Sequence, residues 1–187
     1  DYVIGSIHYV DNFSDNSSWN VDTKKRIFDK GLLEIFDGCP VKAVKRFYKL
    51  TVDMLYNMKP DVVGHLDKIK MFNKDNCYFS ENDKWYKDVV VEVLEHIKVC
   101  NTIIELNTRG FYKKKSEEFY PSNFILQQAF EMSIPVMINS DCHKPDEIIS
   151  GFPEAAKLLM NIGYKKLRVM YDNKFQDLPF DENGIIF

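Results

Sequence analysis

Asp141 and His143 stand two residues apart, just after the apolar run from Ile134 to Ile138. Residues two apart on an extended backbone point to the same side, so a strand ending here would present a carboxylate and an imidazole together. Both are donors for zinc, manganese or iron. Taken alone, the pair reads more readily as a polar turn in which Asp141 caps the next helix. Recurrence changes the balance. His8 follows the apolar run beginning at Tyr2, and His65 closes the short run from Asp61 to Gly64. His96, the remaining histidine, falls inside a helical pattern and reads as solvent-facing.

A third run, Thr102 to Asn107, places Glu105 and Asn107 on one side of a strand. Either could orient a ligating histidine, although Glu105 could equally pair with a lysine. Arg109 lies just beyond, and a guanidinium there is shaped to grip a phosphate with two parallel hydrogen bonds. Lys113, Lys114 and Lys115 follow in a basic loop; Lys114 joins Arg109 as a substrate-binding candidate, and the loop otherwise reads as a solvated charge run. His8, His65, Asp141 and His143 are thus candidate metal ligands, with Asp141 and His143 also candidate catalytic groups. Metals beside an anion-gripping arginine suit phosphate-ester hydrolysis, in which a metal-activated water attacks phosphorus and Arg109 stabilises charge on the oxygens.

The elements that must hold these residues follow from periodicity. Val44, Phe47, Tyr48, Thr51, Val52 and Leu55 recur at helical steps within Val41–Met58, and Lys59-Pro60 ends that helix. Further helices are expected over 84–100, over 123–132, and from Pro153 to about Gly163. Strands are expected at 2–7, 61–65, 102–107, 134–139 and 167–171, with a loop and partly helical stretch over 9–40 and a tail after 171. This alternation implies βαβ units and a parallel sheet, open or closed into a barrel, whose strand C-termini gather the candidates on one face.

Composition sets bounds. With 45% hydrophobic and 28% charged residues the chain reads as an ordinary soluble domain. No apolar stretch is long enough to span a bilayer and no secretory signal pattern opens the sequence, so no membrane association and a cytoplasmic location are expected. The four cysteines form no metal-type pair and are too sparse for a disulfide framework. A net charge of −3 argues weakly against nucleic acid as a partner and says little else, while the metal and arginine candidates point to a small-molecule phosphate ester.

In order along the chain, Gly5-Ser6-Ile7-His8, Val62-Val63-Gly64-His65-Leu66-Asp67, Glu105-Leu106-Asn107-Thr108-Arg109-Gly110, Tyr120-Pro121-Ser122 and Ser140-Asp141-Cys142-His143 resemble the PHP (polymerase and histidinol phosphatase) family, in its histidinol-phosphatase branch. The resemblance implies an α/β fold, a distorted (β/α)7 TIM-like barrel, holding up to three divalent ions (Zn, Mn or Fe) and releasing phosphate from L-histidinol phosphate in histidine biosynthesis. It implies that His8 and His65 share one metal, Asp141 binds a second and His143 a third, with Arg109 on the phosphate. The family's first strand, with its H-x-H pair, and its bridging glutamate are not in this sequence. Residues 1–187 are therefore expected to form a single, N-terminally truncated barrel domain. Alternatives are another PHP phosphoesterase, tyrosine-phosphatase or nuclease-like, and a metal-free, non-catalytic module.

Overall fold

The computed structural model describes residues 1–187. The chain opens with β1 (Ile4–Gly5), a hairpin of β2 (Tyr9–Asn12) and β3 (Ser18–Asn20), and the helices α1 (Lys25–Phe36) and α2 (Pro40–Asn57). It continues through β4 (Val62–Val63), α3 (Lys84–Val99), β5 (Ile103–Asn107), the short α4 (Arg109–Tyr112), α5 (Asn123–Glu131) and β6 (Val136–Asn139). After α6 (Phe152–Ile162) come β7 (Lys166–Tyr171), β8 (Lys174–Asp181) and β9 (Gly184–Ile185).

Four strands make the sheet that positions the site, in the order β1-β4-β5-β6, all parallel. The helices cover one face of it. Val63 and Ile104 share a core with Phe47 and Leu55 of α2, Val93, Leu94 and Ile97 of α3, and Ile125 of α5. Leu106 and Val136 pack instead with Ala155, Ala156 and Leu159 of α6. On the opposite face Val62, Ile103 and Met137 form a small apolar floor, against which Phe175 of β8 packs. Strand alternation continues that face upward to Glu105 and Asn107, so the polar residues stand at the C-terminal edge of an apolar base.

The helices expected from periodicity are present, with ends within two residues of their expected bounds. The expected parallel α/β sheet is present, and its four strands stay open. Two expectations are corrected. The segment 9–40 is more ordered than its composition suggests: α1 runs twelve residues, burying Phe28, Leu32 and Phe36 at four-residue spacing. Gly31 obscured this helix because glycine disfavours helical conformation, yet it is required, since a Cβ there would sit 2.1 Å from the Trp19 indole. Finally, 167–171 does not extend the parallel sheet, and no tail follows it. It belongs to β7, which pairs antiparallel with β8 through a two-residue turn at Asp172-Asn173, both at positive φ, as such hairpins require. No helix is long and apolar enough to cross a membrane.

Candidate active site

The C-terminal ends of β1, β4, β5 and β6 open onto one cleft of about 910 Å³. It is lined by His8, His65, Arg109, Asp141 and His143 from the sequence reading, joined by Asp22, Lys68, Glu105, Asn107, Lys115 and Asn139. All four metal candidates and the candidate arginine therefore share one cavity. Lys114 does not: it lines a neighbouring depression, while Lys115, also exposed, borders both. His96 is remote, its Nδ1 2.8 Å from the Tyr56 hydroxyl.

The inner wall is built around Glu105. This buried carboxylate accepts hydrogen bonds from the His65 backbone N–H (2.8 Å), the Asn107 amide (3.0 Å) and the Asn139 amide (3.1 Å). It does not touch the His65 ring, so it positions that residue through the main chain. Burial raises the Glu105 pKa, and the three donors oppose the rise. Gly64 makes this approach possible, because a Cβ there would fall 2.4 Å from Ser6 Oγ and 3.2 Å from Glu105 Oε2. His65 follows at φ 29, and Asp141 at φ 48, a region uncommon for side chains of these types. Both strained residues face the cleft, where such backbone conformations tend to cluster.

The imidazoles of His8 and His65 meet edge to face, with ring centroids 4.9 Å apart. Burial pushes the His65 ring down to about 4, so it is neutral near pH 7, and its Nδ1 is buried without a hydrogen-bond partner. His8 Nδ1 lies 2.9 Å from Asp22 Oδ2, and that hydrogen bond raises the His8 pKa above its usual value. An ionised carboxylate only accepts, so the His8 proton sits on Nδ1 and Nε2 is left as a free donor to a metal.

The outer wall has the opposite arrangement. Arg109 Nη2 lies 3.1 Å from His143 Nδ1 and Nη1 donates to the Asp141 carbonyl. A guanidinium has no acceptor, so neutral His143 accepts at Nδ1 and carries its proton on Nε2, which faces Asp141 Oδ1 at 3.5 Å. His143 is 69% exposed at its side chain, against 42% for His8. Glu147 backs this wall, accepting from Tyr112 and Lys113. Lys113 holds the Glu147 carboxyl below the usual range.

Asp67, part of the motif around His65, is no rim residue. Fully buried, it accepts from the Ser122 backbone N–H at 2.8 Å and pairs with Lys70 at 3.3 Å, tying the β4 turn to the start of α5. Burial raises its carboxyl to about 6.

Asp22 and Lys68 were missed from the sequence. Asp22 lies in a polar stretch with no periodic signal, and Lys68 looked like one more surface lysine. Its spacing from His65, one turn along the chain, was the available clue.

No family model matches the chain. A Deinococcus radiodurans protein named "Probable histidinol-phosphatase" is 28% identical over 164 residues, covering 87% of this chain and 55% of the relative. A Schizosaccharomyces pombe protein of the same name is 23% identical over 168 residues, covering 89% and 52%. Among solved structures, a Listeria monocytogenes protein assigned as a histidinol phosphatase superposes with a TM-score of 0.71 at 22% identity, over 82% of this chain and 57% of that one. A Lactococcus lactis histidinol phosphate phosphatase, complexed with Zn, L-histidinol and phosphate, gives 0.53 at 18% identity, over 94% and 62%. The likeness is to histidinol phosphatases. It agrees with the resemblance carried by the motifs, and the structural matches extend it to the fold. The chain spans about half the length of the curated relatives it matches.

Proposed function

We propose that this chain carries the phosphate-gripping part of the active site of a metal-dependent phosphomonoesterase, with L-histidinol phosphate as the substrate and the sheet as one portion of a distorted TIM-like barrel. The observation that carries the reading is the convergence of His8, His65, Asp141 and His143 with Arg109 in one cleft. Curated relatives sharing the name "Probable histidinol-phosphatase" and the zinc, L-histidinol and phosphate of the Lactococcus structure support the substrate.

The residues present fit a metal in part. The orphaned Nδ1 of buried His65 and the free Nε2 of His8 are nitrogen donors of the required kind. No three His, Cys, Asp or Glu side chains are arranged as a complete cage, so the chain supplies part of a coordination shell. His8 and His65 would supply nitrogen ligands to one ion, and Asp141 a carboxylate to another, for zinc, manganese or iron. When bound, such an ion supplies Lewis-acid charge and lowers the pKa of coordinated water.

The chain's own residues do the rest. Arg109 offers two N–H groups to the phosphoryl oxygens and stabilises the charge that grows on them. His143, with an N–H on Nε2 at the cleft mouth, can donate a hydrogen bond to the leaving oxygen and offset the charge that grows there as the ester bond breaks, the alkoxide then taking its proton from solvent. Serving as a metal ligand through Nε2 would require His143 to place its proton on Nδ1 and Arg109 to release that nitrogen. Hydrogen-bond donation is therefore the role its present contacts favour. Ile138, Ile148 and Phe152 give the cleft an apolar side suited to a small organic group.

The test has two parts. Calorimetric titration with Zn²⁺ is expected to show binding that His65→Ala abolishes, and no binding by the wild type would overturn the metal assignment. Phosphate release from L-histidinol phosphate is expected to fall by about 10² or more in His143→Asn with zinc binding retained. A parallel loss of zinc would make His143 a ligand instead.

A further inference from the structure

The turn that follows His65 carries Lys68 into the cleft, where it is only 8% exposed. Its neighbour Lys70 is similarly buried but fully engaged, paired with Asp67 at 3.3 Å, Glu81 at 2.8 Å and Glu118 at 3.0 Å. Lys68 has no such partner: its ammonium makes no ion pair or hydrogen bond with any carboxylate, and its Nζ lies 4.9 Å from the centroid of the Tyr120 ring. Asp22 and Asp141 attract it from a distance, while Arg109 and Lys115 repel it.

Burying an ammonium is costly unless a counter-charge meets it. Gathering it with Arg109 and Lys115 in one cleft adds to that cost. The arrangement becomes favourable when a multiply charged anion enters, because each cation then gains a partner and their mutual repulsion is offset. The face of Tyr120 provides partial compensation until then.

We propose that Lys68 and Arg109 form a two-sided anion clamp for the phosphoryl group, Lys68 from the β4 turn and Arg109 from the end of β5. This rests on the phosphate reading of the cleft and adds a second binding residue to it. A guanidinium fixes orientation through its planar fork, whereas an ammonium acts as a compact charge. The pair therefore suits a terminal phosphate monoester, with a dianionic group to share between them. A phosphodiester, with one negative charge, would leave one cation uncompensated.

Inorganic phosphate is the probe, titrated into the metal-free protein by calorimetry. Lys68→Met, which keeps the packing of the stem, is expected to weaken binding by about tenfold or more, as loss of a charge-assisted hydrogen bond implies. Lys68→Arg should restore most of it, and the remote Lys157→Met should leave it unchanged. If Lys68→Met binds as the wild type does while Arg109→Met loses binding, the clamp is overturned and the phosphate site stands. If the wild type binds no phosphate, both fall. A readout without substitution is the Lys68 side-chain NMR resonance in the wild type. It should shift on phosphate addition, and an unmoved resonance would overturn the proposal even if the methionine variant failed to fold.

Discussion

His8 and His143 occupy opposite sides of the same cleft with opposite proton placement. Asp22 accepts a hydrogen bond from Nδ1–H of His8 and leaves Nε2 free. Arg109 donates to Nδ1 of His143 and so fixes its proton on Nε2. Under the proposed function these identical side chains do different work, one binding a cation and the other donating a hydrogen bond to the leaving oxygen. The difference arises from the partner at Nδ1, an acceptor in one case and a donor in the other. The His8 side is also the better anchored, because neighbouring His65 is buried and its backbone is held by Glu105. The His143 side is more open: its imidazole is 69% exposed, although Glu147 behind it is buried.

The largest effect is expected from breaking the anchored side. Glu105→Ala removes the acceptor of three hydrogen bonds and leaves the His65 N–H and the Asn107 and Asn139 amides without it. Unsatisfied buried donors cost about 1–3 kcal/mol each, reduced where water enters the space left behind. A loss of about 3 kcal/mol is expected in denaturant unfolding of the chain. A value near zero would show that Glu105 does not anchor this wall and would remove the asymmetry between the two sides.

Much of that asymmetry was invisible in the sequence. The strand ends were legible because short apolar runs stop at His65, Asn107 and Asp141, and the helices because their apolar positions recur at three and four residues. Convergence of the histidines followed from parallel topology alone. What periodicity cannot convey is contact between residues distant in sequence. Asp22 reaches His8 across a hairpin, and of two adjacent exposed lysines Lys115 borders the cleft whereas Lys114, at φ 55, does not. The terminal sheet was missed for another reason: Asp172-Asn173 is a hairpin signal, but the strand behind it alternates weakly and is largely exposed.

The second test sharpens the comparison at His8. Asp22→Asn retains the shape of the partner but replaces a carboxylate by an amide, which can present an N–H to Nδ1 and reverse the proton placement. Zinc affinity is expected to fall by about tenfold, the usual size for an outer partner of a ligating histidine. Unfolding should change little, because His8 is 42% exposed. Unaltered zinc binding would mean that the Asp22 contact does not select the nitrogen, and that His8 and His143 differ only in position.

The smallest effect supplies a scale for the exposed side. Arg168 and Asp177 face each other across β7 and β8 in a two-pronged pair, with Nη2 to Oδ2 at 2.9 Å and Asp177 47% exposed. The arginine holds the Asp177 carboxyl below its usual value. A lowered folded-state pKa means stability that is present above the unfolded value, about 4, and lost as pH falls through the folded one. Solvent screening keeps such a pair under about 1 kcal/mol. Asp177→Asn should therefore unfold slightly more easily than the wild type at pH 7, with the two curves converging as pH falls through the lowered folded-state value of Asp177. The exposed contact of Arg109 Nη2 with His143 Nδ1 is likewise screened by solvent. If Asp177→Asn instead costs as much as Glu105→Ala, exposed pairs in this protein hold more than solvent screening allows, and the open wall is as firmly built as the buried one.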